Sequence, residues 1–163
     1  MARVWKYGDD VNTDVLFPGR HLANIDPKHQ AAHALEDLDP LFAKTVQPGD
    51  VVVGGKFFGC GSSREQAVTC LKYAGVPFVV AASFARIYYR NAINNGLPPL
   101  VSPAASAKIQ AGDDVTADLG RGVIINRTRN ETYPFEPFPE FLQRLLAAGG
   151  LIPYLRQQVL VKQ

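Results

Sequence analysis

The chain has 163 residues, 47% of them hydrophobic, with 17 Lys+Arg against 15 Asp+Glu and a formal net charge of +2. That length suits one domain, 1–163, with a core that closes without metal or disulfide staples, and that composition excludes intrinsic disorder. The near-balance of charge gives no general field for nucleic acid or an anionic membrane, and two cysteines, Cys60 and Cys70, make no disulfide scaffold. Charges and a glycine in MARVWKYGDD replace the apolar stretch of a signal peptide. The longest apolar run, Val76 to Ala85, falls short of the roughly 20 residues of a membrane span. A cytoplasmic protein is the expectation.

In chain order, Arg3–Tyr7 alternates as a short strand, and Asn12, Thr13 and Asp14 follow in a loop whose side chains can bond nearby backbone. A break at Pro18-Gly19 precedes a helix over Pro27–Leu38, with Asp26 as cap and Pro27 in the first helical position. Pro48-Gly49-Asp50 turns the chain into the β-branched strand VVVGG. Next, a strand ends near Phe58, Gly59-Cys60-Gly61 makes a tight turn, and a helix begins at Ser62 or Ser63. Ala67, Val68, Leu71 and Ala74 mark its apolar face, and Gly75 and Pro77 stop it. PFVVAA is the next strand, giving a parallel strand–helix–strand unit. A helix capped by Ser83 runs to Asn95-Gly96, and LPPLV is a third short strand. GDDVTADL, RGVIINRTRN and ETYPFEP read as antiparallel strands, then a helix spans about 139–148 before a last short element. These elements predict an α/β domain with mixed strand pairing rather than a regular doubly wound sheet.

Chemistry concentrates in GCGSSRE, Gly59 to Glu65. Two glycines permit a sharp bend and close approach of a ligand to the backbone. A helix start presents free N–H groups to an anion, and an arginine grips a carboxylate with two prongs. Near such donors an alkoxide is less costly, so Ser62 can take a proton in a dry site. The residues alone leave a second reading open: a strand–helix turn with a serine cap and a surface arginine. Neither the lysine spacing of a P-loop nor the GxSxG elbow is present.

NTDVLFPGRHL, the stretch from VVVGGKFFGCGSSRE to SFARIYYRNAINNGLPPLV, and the tail PFPEFLQRLLAAGGLIPYL resemble the small subunits of 3-isopropylmalate dehydratase and homoaconitase. They also resemble the swivel domain of aconitase. The resemblance implies a swivelling β/β/α three-layer domain of the aconitase domain-4 type. It implies a hydro-lyase that isomerises hydroxy di- or tricarboxylic acids by removing and re-adding water. A [4Fe–4S] cluster is implied in a large partner subunit, in a heterodimer or heterotetramer. Carried over, Ser62 matches the serine base, Ser63 and Arg64 the neighbouring substrate-binding pair, and Arg20, with glycine and arginine in swapped order, a second substrate arginine. His21 stands beside Arg20 as a further substrate-facing candidate.

A cubane takes about three or four thiolates, so two cysteines point to a cluster held by another chain. Cys60 reads as a small residue in a tight corner and Cys70 as core. His29 and His33 have the four-residue spacing of a metal pair, but no third ligand is evident, and a solvated helix face is the expectation. Asp14 is expected to order the loop that carries Arg20. Residues 17–33 are the candidate specificity segment, where Leu22, Ala23 and Ile25 suit an isopropyl group. Homoaconitate or a dimethylmalate-type substrate stays open, as does a non-catalytic carboxylate-binding swivel domain.

Overall fold

The computed structural model describes residues 2–162. Four three-residue strands form a parallel sheet in the order β1-β2-β3-β4: β1 Val4–Lys6, β2 Val51–Val53, β3 Val79–Ala81 and β4 Pro99–Val101. A separate antiparallel sheet contains β5 Val115–Asp118, β6 Val123–Asn126 and β7 Glu131–Pro134. The helices are α1 Thr13–Leu16, α2 Pro27–Ala32, α3 Phe42–Thr45, α4 Gln66–Tyr73, α5 Arg86–Asn94, α6 Pro103–Lys108, α7 Glu140–Ala147 and α8 Leu151–Val161, with a 3₁₀ turn at Gly19–His21.

The side-chain period of two explains the layers. Val52, Val79 and Ala81 face a core with Leu16, Ala67, Val68, Leu71 and Tyr88, which come from α1, α4 and α5. Their neighbours Val51, Val53 and Val80 face the opposite core, with Val115, Ile124 and Tyr133 of the antiparallel sheet. β2 and β3 are therefore buried on both faces, which is why they read as unbroken β-branched runs. Antiparallel sheet, parallel sheet and helices stack as the expected β/β/α layers, and the pairing is mixed as predicted. Lys72 at the end of α4 donates to the carbonyls of Asn95 (2.5 Å) and Gly149 (3.1 Å), tying the ends of three helices together.

Several boundaries differ from expectation. The helix expected over 27–38 stops at Ala32. Ala34 and Leu35 sink into the core, Leu35 takes a φ of 58°, and its N–H goes to the Leu16 carbonyl at 2.9 Å. Asp26 sits at the N-cap of α2, but its side chain makes no capping bond. Ser83 does not cap α5, which begins at Arg86; its hydroxyl accepts the Phe57 N–H at 2.9 Å instead. The last element is an 11-residue helix, α8, which leaves Ile152, Leu155, Val159, Leu160 and Val161 exposed. No helix among the described residues is long and apolar enough to cross a membrane.

Two buried carboxylates anchor the sheets. Asp50 accepts from the Arg3 N–H (2.9 Å), the Gln47 N–H (3.0 Å) and the Trp5 indole (3.1 Å). Asp113 accepts from the Gln110 N–H (2.9 Å), the Asn126 amide (2.8 Å) and Arg129 (2.9 Å). Burial pulls both carboxyls upward, but these donors outweigh it and hold both below the usual aspartate range. A lowered folded pKa stabilises above the unfolded value of about 3.9 and is lost as pH falls through the folded value. The melting temperature should therefore drop steeply below about pH 4. Asp50→Asn should lose about 1–3 kcal/mol at pH 7 and show a shallower acid limb in the same thermal melts.

Candidate active site

The site forms where the segments leaving β1 and β2 meet. Gly59 donates its N–H to the Val11 carbonyl at 2.7 Å, and the Thr13 N–H returns to the Cys60 carbonyl at 2.8 Å. The two segments are thereby stitched side by side beyond the carboxyl ends of their strands. Asn12 caps α1 by accepting the Val15 N–H at 3.0 Å, the local role read for it in the sequence. Gly59 has a φ of 83°, and a Cβ there would lie 2.0 Å from the Tyr88 ring. Only glycine fits, because the bend is left-handed and its inner side is filled by an aromatic ring.

Ser62 and Ser63 stand exposed after this bend. They precede α4 rather than start it: the helix begins at Gln66, and the Arg64 and Glu65 carbonyls accept its first N–H bonds, from Ala67 and Val68. The Arg64 N–H bonds the Ser62 carbonyl at 2.9 Å, holding the serines in a turn. The guanidinium of Arg64 is folded back and mostly covered. It pairs with Asp14 at 2.5 Å, donates to the Phe17 carbonyl at 3.4 Å and rests over Gly19. Asp14 therefore orients Arg64 directly and reaches the loop carrying Arg20 through the contacts of Arg64 with Phe17 and Gly19. Nothing in the local sequence links the two acid–base partners, since the contact depends on the stitched segments. Thr13 Oγ1, beside Gly61, is buried without a hydrogen-bond partner among the described residues.

Arg20 and His21 do not join this group. The Arg20 guanidinium is exposed, bonds Asp37 at 2.7 and 3.0 Å, and also pairs with Glu36. His21 places Nε2 2.6 Å from Glu36, and its ring packs on Phe17, His29 and His33. Burial opposes ionisation of Glu36, but hydrogen bonds from His33, His21 and Arg20 outweigh it and bring its carboxyl to about 2. Glu36 and Asp37 lie in the stretch that the sequence predicts as helix, so no local signal marks them as partners of Arg20.

The cysteines do not fit an iron–sulfur cluster. Cys70 is sealed in the core, its thiol donating to the Leu16 carbonyl at 3.5 Å, and burial pushes that thiol up. Cys60 is half-buried in the turn and alone. Two thiols so disposed cannot supply the three or four thiolates of a cubane.

Residues 27–105 match the family model described as the aconitase C-terminal domain. The fold superposes on the crystal structure of a 3-isopropylmalate dehydratase from Methanocaldococcus jannaschii with a TM-score of 0.94 and 45% identity, covering 99% of this chain and 95% of that one. This is a swivel domain of the aconitase superfamily. The chain is 58% identical to the 3-isopropylmalate dehydratase small subunit of Moorella thermoacetica, over 94% of this chain and 92% of that one. It is 51% identical to the 2,3-dimethylmalate dehydratase small subunit of Eubacterium barkeri, over 93% of each. The chain belongs to the 3-isopropylmalate dehydratase small-subunit family.

Two outcomes test the geometry. Gly59→Ala should destabilise the fold by about 2–5 kcal/mol in denaturant melts, combining left-handed strain with overpacking against Tyr88. Asp14→Asn breaks a pair whose carboxylate is largely exposed and should change stability by less than about 1 kcal/mol. Its effect should fall instead on KM, because Arg64 loses its orientation.

Proposed function

We propose that this chain is the small subunit of a hydro-lyase that interconverts 2- and 3-isopropylmalate by dehydration and rehydration, in leucine biosynthesis. The observation that supports this most is the outward Ser62–Ser63 pair, with Arg64 held beside it by Asp14, in a chain of this family. A large partner subunit closes over that turn and carries the iron–sulfur cluster, which this chain's thiols cannot hold. When bound there, the cluster supplies a Lewis acid for the substrate hydroxyl.

This chain contributes the proton chemistry. Ser62 removes the proton from the carbon beside a carboxylate. That proton is only weakly acidic, so the base must work where water is excluded and cations are close. Exposed Ser62 lacks that setting until the partner covers it. Arg64, already held by Asp14 and the Phe17 carbonyl, grips one substrate carboxylate, with the Ser63 hydroxyl beside it. Arg20 reaches the second carboxylate by leaving Glu36 and Asp37, an exchange that an exposed ion pair permits at small cost. On rehydration Ser62 returns the proton to the neighbouring carbon. His21 is turned onto Glu36 and takes no substrate contact in this scheme.

A second substrate is favoured by one observation, the 51% identity to the 2,3-dimethylmalate enzyme's small subunit. The exposed Ile25 lies in the segment expected to choose between them. Discrimination by single methylenes is worth about 1–3 kcal/mol.

Reconstitution with an iron–sulfur large subunit, assayed on isopropylmalate, dimethylmalate and homocitrate side by side, should give its highest kcat/KM with isopropylmalate. Full activity from the small subunit alone would refute the scheme. Ser62→Ala should lower kcat by about 10²–10⁴-fold while leaving assembly and the melting temperature unchanged. Arg64→Lys should raise KM and lower kcat, because a point charge cannot copy the two-pronged grip.

A further inference from the structure

All three histidines of the chain meet at one place. His21 comes from the 3₁₀ turn, His29 from α2, and His33 from the residue that caps it. One ring nitrogen of each lies within 4.8 Å of one on each of the others. The rings of His21 and His33 stack with centroids 3.8 Å apart, and His29 packs on both, at 4.3 Å to His33 and 5.1 Å to His21. The third ligand that the sequence did not reveal is thus supplied by the turn before α2.

Two further observations point to a cation. His29 Nε2 is buried and has no hydrogen-bond partner among the described residues. A buried ring nitrogen without a partner is costly, and a metal ion satisfies it. Glu36 places one carboxylate oxygen 2.6 Å from His21 Nε2 and the other 2.6 Å from His33 Nδ1. A carboxylate accepting from one nitrogen of each ring fixes the tautomers and leaves the opposite nitrogens with free lone pairs. That is the outer-shell arrangement that orients metal-binding imidazoles.

We propose that His21, His29 and His33 bind a divalent transition-metal ion of the zinc class, with Glu36 as the carboxylate that orients two of the rings. Three neutral imidazoles suit Zn²⁺ and leave a fourth position to water. Zn–N bonds of about 2.0–2.1 Å put tetrahedral ligands about 3.4 Å apart, so binding draws the nitrogens together from within 4.8 Å and turns the stacked His21 and His33 rings until their in-plane lone pairs converge. The ion cross-links the Gly19–His21 turn to α2 and so pins the segment from which Arg20 projects. The proposal does not rest on the assigned reaction, because metal binding is read on the isolated chain.

The test titrates the untagged, chelator-stripped full chain with ZnCl₂ in a calorimeter. One site with a dissociation constant in the micromolar range or tighter is expected. His29→Ala and His33→Ala should each weaken it at least tenfold, and Glu36→Gln by about 10–100-fold. Cys60→Ser should leave it unchanged. Cobalt(II) should give d–d bands without a thiolate charge-transfer band. Saturation only in the millimolar range, unchanged binding in His29→Ala, or loss of binding in Cys60→Ser overturns the proposal. If a histidine variant is shown by circular dichroism to be unfolded, imidazole ¹⁵N shifts of the wild-type chain decide. Zn²⁺ must move all three histidines, and one left unmoved rejects the site.

Discussion

The bend at Gly59 governs how this molecule presents its chemistry. Its backbone is left-handed, its inner side is packed by Tyr88, and its N–H is bound to the segment leaving β1. Those three demands act together. The bend brings Cys60 to Thr13, Thr13 carries Asp14 with it, and Asp14 holds Arg64. The two serines then have nowhere to go but outward. A side chain at position 59 would meet the Tyr88 ring and push apart the stitched segments on which the arginine's orientation depends.

The layers explain why this bend can be rigid while its tip is exposed. Strands of only three residues are stable here because both faces are covered, by helices on one side and by the antiparallel sheet on the other. Chains leaving the carboxyl ends of such parallel strands gather in one region, where ligand sites of open α/β sheets form. Exposure, in turn, sets a chemical limit. A serine hydroxyl in water is almost never ionised, so the base role proposed for Ser62 requires donors in place of solvent that make its alkoxide accessible. An outward polar turn is what the proposed function asks of a chain that shares its reaction chamber with a partner, and the chain belongs to a family of small subunits.

The two arginines illustrate how burial separates similar side chains. Arg64 is mostly covered and has a backbone carbonyl and a carboxylate as fixed partners. Arg20 is more than half exposed and shares Glu36 and Asp37, which is a resting place more than a binding site. Glu36 also serves His21 and His33, so this one carboxylate links Arg20 to two of the three histidines.

Much was legible in the sequence for local reasons. The β-branched run at Val51–Val53, the stops at Gly75 and Asn95-Gly96, and the bond of the Asn12 side chain to nearby backbone depend on φ, on hydrogen bonds within a few residues, and on a period of two or 3.6. Those constraints determined the strand–helix–strand unit and the tight turn at Gly59–Gly61, whereas the outward serines ahead of α4 were decided by the packing of the bend. Local signals failed where a distant partner outbid them. Ser83 gave its hydroxyl to Phe57 rather than to α5, and Leu35 left its helix for the Leu16 carbonyl. Only the tertiary structure decided that Asp14 faces Arg64, that Glu36 and Asp37 take Arg20, and that His21 completes a trio with His29 and His33. Such pairings depend on where two segments remote along the chain come to rest, and that is set by the closing of the core, which no spacing between neighbouring residues encodes.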